Sequence, residues 1–138
     1  MLIKEGQIPD VAVKEMNQIH KTEIDILNKL YKAIEAYEEG KASAEVIDVL
    51  FDEFVKDVKE HFSFEQQLME KYNFFAYPMH RAEHDRVLYE LQSLEKVWKE
   101  ERDIEALKNY LEKNFVPWII NHVQTMDTVT AQFLSHFI

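Results

Sequence analysis

The sequence predicts an all-α protein, an antiparallel up-down-up-down four-helix bundle with a short N-terminal arm. Three observations predict it. Apolar residues recur at steps of three and four through four long segments. Only two glycines and three prolines interrupt 138 residues, which leaves little of the turn chemistry that a many-stranded fold needs. No stretch shows the period-two alternation of a half-buried strand. The length suits one domain, residues 1–138, able to bury its own core.

The first helix is expected from Asp10 to about Glu39, with a stripe through Val13, Met16, His20, Ile24, Leu27, Tyr31 and Ile34. Asp10 suits its N-cap and Gly40 the position just past its end. A second helix, about Ala44 to Lys71, carries Leu50, Phe54, Val58, His61, Glu65 and Leu68 on one face. Pro78 fits the first turn of a third, where its missing N–H is harmless, and the stripe continues through His80, His84, Val87 or Leu88, Leu91 and Trp98 to an end near Glu101. The last segment holds Ile104, Leu107, Leu111, Trp118, His122, Val129 and Phe133. Pro117 removes a backbone donor there, so a kink or break is expected near Asn114 to Pro117. Each apolar stripe needs another to cover it, and short joints make neighbours antiparallel.

The chain has no cysteine, which excludes disulfide frameworks, zinc–cysteine modules, iron–sulfur ligation and thiol catalysis. Any metal must be held by nitrogen and oxygen. A formal net charge of -10 opposes the phosphate backbone, so no nucleic-acid partner is expected. Met1 to Gly6 has no apolar run of signal-peptide length, and no uncharged stretch reaches membrane-spanning length. The expectation is a soluble cytoplasmic protein without a membrane partner. Charge runs such as Lys99-Glu100-Glu101-Arg102 read as solvated faces, and nothing in the sequence assigns an oligomeric interface.

Five of the six histidines, His20, His61, His80, His84 and His122, fall on the inward stripes. A buried imidazole must satisfy two ring nitrogens, and five in one small core are costly unless something binds them jointly. A metal does so. For a lone histidine a satisfied core hydrogen bond is the better reading; for five converging from four helices it is not. His61 with Glu65, and His80 with His84, lie four apart on one helical face, about 6 Å from each other. His122 and Asp127 lie five apart, about 140° around an ideal helix, so they would reach a site from two sides, as a bridging carboxylate does. His80 sits nearer its helix start than His122 to its helix end, so the loop from Tyr72 to Tyr77 must start the third helix deeper in the bundle. His136, about 21 Å along a helix from His122, reads as a surface residue.

These residues resemble the hemerythrin signature: a first-helix His (His20), H-x-x-x-E (His61, Glu65), H-x-x-x-H (His80, His84) and H-x-x-x-x-D (His122, Asp127). The neighbouring words His61-Phe62-Ser63-Phe64-Glu65-Gln66-Gln67-Leu68-Met69 and Trp118-Ile119-Ile120-Asn121-His122 match as well, and the resemblance runs from about Met16 to Phe133. It implies two iron ions in an oxo- or hydroxo-bridged centre. His80, His84 and His122 would bind one iron, His20 and His61 the other, with Glu65 and Asp127 bridging and one coordination position open to O2. It also implies a reversible oxygen binder, for carriage, storage or sensing, rather than an enzyme. A site rich in neutral imidazole stabilises the most oxidised irons less than a carboxylate-rich one, which favours binding over oxygen cleavage.

Two positions depart from the bacterial pattern. Ile19 stands where Gln usually precedes the first ligand and Asn17 where Asp stands three before it, so the usual hydrogen bonds there are expected to be lost or rerouted. Glu23 replaces the large aliphatic residue expected in the oxygen pocket, whose apolar wall would be Phe62, Trp118, Ile119 and Val123. Either Glu23 approaches the open iron, giving a di-iron oxidase, peroxidase or nitric-oxide-handling enzyme, or the helix is rotated and Glu23 faces solvent. Two further readings compete. His80-Arg81-Ala82-Glu83-His84 matches the H-x-x-E-H arrangement of inverted zinc peptidases, but this leaves three inward histidines unexplained. An acidic helical interaction module without metal leaves all five unexplained.

Overall fold

The computed structural model describes residues 1–138, apart from the side chain of Glu5. Four helices follow the arm: α1 (Lys14–Glu38), α2 (Ala44–Lys71), α3 (Tyr77–Glu101) and α4, which starts at Ile104 and ends at Leu134. No strand occurs among the described residues. Each helix packs on the next and α4 returns to α1, closing the up-down-up-down bundle. Among the described residues, no helix is long and apolar enough to cross a membrane.

The arm contains a 3-10 turn at Glu5–Gln7 and is stitched to α1 by two asparagines. Asn28 accepts from the Ile3 amide and donates to the Ile3 carbonyl (3.1 and 2.9 Å), and Asn17 does the same for Val11 (2.7 and 3.0 Å). Ile3 is buried completely. The Asn17 clamp also corrects the first helix start: by holding Val11 in the arm it leaves Asp10 outside the helix, with Val13 extended at the N-cap position.

The joints are sharply built. After α1, Gly40 takes φ 74° while the Gly40 and Lys41 amides bond back to Tyr37 and Ala36. After α2, Asn73 takes the left-handed position (φ 55°), and the Asn73 and Phe74 amides bond to Glu70 and Met69. Both are Schellman caps, and in the second the buried Phe74 and Met69 supply the apolar contact that accompanies the motif. That cap turns the chain within a few residues, so His80 enters the core from the first turn of α3.

The expected break at Pro117 does not occur. Instead α4 is continuous and changes pitch twice: α-helical turns at Ile104–Tyr110, Val116–His122 and Thr128–Leu134 alternate with π-helical turns at Leu111–Phe115 and Val123–Asp127. A π turn closes i→i+5 bonds, here Val116 N–H to the Leu111 carbonyl. Widening the helix just before Pro117 accommodates a ring that would otherwise press on the carbonyl four residues earlier.

The core divides along the bundle. Away from the histidines it is apolar, with Phe54 and Phe115 edge to face (centroids 5.1 Å) and Trp98 buried with its indole N–H donated to Asp48 (2.8 Å). Its other part is polar, and buried there are His20, Glu23, His61, Glu65, His80, His84, His122, Asp127 and Thr130. His136 lies on the surface.

Candidate metal centre

All seven residues singled out as ligands converge at one level of the bundle, each no more than 4 % exposed. His20 comes from α1, His61 and Glu65 from α2, His80 and His84 from α3, His122 and Asp127 from α4. Their donor atoms form two groups, Glu65/His80/His84/His122/Asp127 and His20/His61/Glu65/Asp127, with the atoms of each group within 4.8 Å of one another. Glu65 and Asp127 belong to both.

The carboxylates divide their oxygens between the groups. Glu65 Oε2 lies 2.8 Å from His61 Nε2 and 3.7 Å from His20 Nε2, while Oε1 lies 3.3 Å from His84 Nε2 and 3.6 Å from His80 Nε2. Asp127 Oδ2 lies 3.1 Å from His20 Nε2, while Oδ1 lies 3.1 Å from both His80 and His122 Nε2. The donor set fits cations. His80 and His122 bring their Nε2 atoms to 3.1 Å, and Glu65 Oε1, Asp127 Oδ1 and His84 Nε2 are buried without a protein hydrogen bond. Buried polar atoms this close and unpaired are costly unless a cation takes their lone pairs.

The spacing of five between His122 and Asp127 works differently from the expectation. The turn between them is π-helical, so Asp127 comes back over the face of His122 instead of lying about 140° away, and the two side chains meet on the same side.

Without metal, protons stand in for cations. Burial opposes the charge on His20, yet hydrogen bonds to Asp127 and Glu65 outweigh it and raise its pKa to about 9. His61 is likewise raised well above the ordinary value, against its burial, by Glu23 and Glu65. Glu65 and Asp127 stay ionised far below the usual carboxylate range despite burial, chiefly through the facing histidines. His84 is the exception: burial holds its pKa down even against Glu65.

Outer nitrogens and ring faces are held by residues that spacing alone did not single out. His80 Nδ1 pairs with Thr130 Oγ1 (2.8 Å) and His84 Nδ1 with Gln66 Oε1 (3.1 Å). Such bonds fix which ring nitrogen faces the metal. Phe62 stacks on His84 (centroids 3.9 Å, 2° between planes) and Trp118 on His122 (4.4 Å, 21°). Both aromatic residues therefore lie against the three-histidine group. Val123 is buried completely beside His122 in the chain. Ile119 and Glu23 lie elsewhere, lining with Ile8, Ile24, Leu27 and Phe115 a void of about 10 Å³ next to His20, on the scale of one small molecule. A larger cavity of about 460 Å³ between the arm and α1 shares Ile8, His20 and Ile24 with that void.

Glu23 takes neither expected pose. It is buried, not solvent-facing, and its Oε2 is 2.5 Å from His61 Nδ1, on the opposite side of the ring from Glu65. Asn17, spent on the arm, leaves His20 Nδ1 without a protein partner. Glu83 is bound to Trp118 Nε1 (2.8 Å) and Arg86 (2.7 Å), so it is not free to serve as the base that the peptidase reading of His80 to His84 requires.

Comparison with known proteins agrees with this geometry. The family model "Hemerythrin HHE cation binding domain" matches residues 11–134. A bacteriohemerythrin of Aquifex aeolicus is 38% identical over 135 residues, 98% of this chain and 99% of that protein. A bacteriohemerythrin of Methylococcus capsulatus is 29% identical over 117 residues, 84% of this chain and 83% of that protein. With seven buried donors in two groups joined by shared carboxylates, and a family match that spans nearly the whole bundle, this chain belongs to the hemerythrin family.

Proposed function

We propose that this chain is a non-haem di-iron protein that binds dioxygen reversibly, for carriage, storage or sensing. One observation carries the reading: each of two buried carboxylates turns one oxygen to the His20/His61 pair and the other to the His80/His84/His122 trio. That division suits two cations held side by side. When bound, the irons supply the electrons that hold oxygen. His80, His84 and His122 with two carboxylate oxygens offer five donors to one position, and His20 and His61 with the other two oxygens offer four. The four-donor position is the one with room for an exogenous ligand, and the void lies beside its His20. Ile24, Leu27, Phe115 and Ile119 give that void an apolar wall, which disfavours water and anions relative to a neutral diatomic molecule.

Metal analysis together with visible spectra of the reduced protein before and after oxygen tests the reading. Two irons per chain are expected, with a charge-transfer band that appears on oxygenation and disappears on deoxygenation. A stably reduced, iron-loaded protein that develops no such band counts against it.

The oxidase, peroxidase or nitric-oxide reading has one observation behind it, the second Glu23 oxygen, which is buried without a hydrogen-bond partner in a side chain that borders the void. Steady turnover of peroxide or nitric oxide by the loaded protein, with bound oxygen that cannot be recovered, would favour it.

A further inference from the structure

Two of the ligand imidazoles give their outer nitrogen to a neutral acceptor, His80 to the Thr130 hydroxyl and His84 to the Gln66 amide oxygen. His61 alone is shown with a carboxylate there, at 2.5 Å and with both partners buried. For His61 to offer its Nε2 lone pair to a metal, its proton must sit on Nδ1, so Nδ1–H donates to Glu23. A carboxylate acceptor draws that proton outward and makes the ring a stronger, more imidazolate-like donor, and burial leaves the negative charge unscreened. A hydroxyl or amide acceptor does this less.

We propose that Glu23 is a positioning residue that acts through His61 to make the two-histidine iron the more electron-rich of the pair, lowering its reduction potential and strengthening its hold on the ferric state. This rests on the di-iron reading above. It assigns Glu23 a place behind a ligand, not on the open coordination position, and it makes the four-donor position the better electron donor to whatever ligand enters the void.

The test compares wild type with Glu23→Gln, which keeps the shape and an acceptor oxygen but removes the charge, and with Thr130→Val, which removes a neutral acceptor from the other iron's side. Reduction potentials of the iron-loaded proteins are read by spectroelectrochemical titration. Glu23→Gln raises the potential of one iron by about 59 mV for each tenfold loss of ferric over ferrous preference, and a loss of tenfold or more is expected. Thr130→Val shifts the other iron less. A second measurement needs no variant: in zinc-loaded wild type the His61 Nδ1 proton resonates further downfield than those of His80 and His84. Wild type that does not hold two irons removes the di-iron reading and this proposal with it. Wild type that holds two, with an unchanged potential in Glu23→Gln or a His61 proton no further downfield than the others, overturns this proposal alone.

Discussion

The two histidine groups share both carboxylates but are built on different plans. Around His80, His84 and His122 the protein is tight: two aromatic rings lie flat on two imidazoles, and neutral Thr130 and Gln66 hold two outer nitrogens. Around His20 and His61 it is loose and charged, with a void against one ring, a carboxylate against the other, and a histidine nitrogen with no protein partner. The contrast teaches that one bundle can carry a rigid position and a permissive one a few ångströms apart, provided the bridging side chains belong to both.

The largest test of that contrast is a change that strikes both halves at once. Asp127→Ala removes one oxygen from each group, so affinity should fall roughly a hundredfold or more at each position, about 5 kcal/mol over the pair. His84→Ala strikes one group only and should leave one ion more tightly held than the other. Metal per chain after chelator washing distinguishes them; an Asp127→Ala protein that behaves like His84→Ala would show that the bridge is not shared.

Next in size are the packing differences. Phe62→Ala empties a buried ring site against His84 and should cost about 3–5 kcal/mol in urea unfolding, whereas Ile119→Val, which only enlarges an existing void, should cost about 1 kcal/mol. Comparable losses would mean that the two sides are equally well packed.

The halves also titrate in opposite directions in metal-free protein. The pKa of His20 is raised from 6.5 to about 9, so its contribution, about 3 kcal/mol, is complete below pH 6.5 and fades as pH rises through 9. His84, depressed by burial, instead weakens the fold as pH falls through its ordinary value of 6.5. Histidine ring NMR of the metal-free protein should find His20 protonated and His84 neutral at pH 7. Metal uptake at that pH should then release protons from His20 and His61, seen as acidification of a weakly buffered solution.

The smallest effect concerns Asp57, half-buried near Glu23. Burial first, and then the Glu23 charge, raise its pKa from 3.8 to about 6. Across that window the unfolded chain has lost its proton and the folded chain has not, so stability falls as pH rises and stays lower above it. Asp57→Asn should stabilise metal-free protein at pH 7 by about 1 kcal/mol, discounted for partial exposure, and change little at pH 3. An equal gain at both pH values would contradict the electrostatic account.

Much of this was readable from the chain. The three-and-four periodicity located α2 and α3 almost to the residue, because their stripes are unbroken and their ends carry a basic residue or a proline. All seven ligands stood on those stripes. What periodicity could not show was departure from its own assumption: the π turns in α4 break the 100° step, which is why the expected break at Pro117 became a continuous helix and why His122 and Asp127 share a face. The acceptors Glu23, Gln66 and Thr130 were hidden for another reason. Each reaches a histidine on a different helix, and rotation of one helix against another is fixed by packing and is not a property of either segment. Asp10 failed as a cap because a tertiary clamp, Asn17 on Val11, competed for the same backbone.

The π turn at Val123–Asp127 makes this stretch of the gene sensitive to length more than to spelling. Deleting any one codon between His122 and Asp127 would restore regular α pitch and swing everything downstream by roughly 100°. Asp127 would leave both groups, Thr130 would release His80, and Ala131 and Leu134, both fully buried, would turn toward water. Point changes among the exposed positions of the same turn should be tolerated, while in-frame deletions there should be purged.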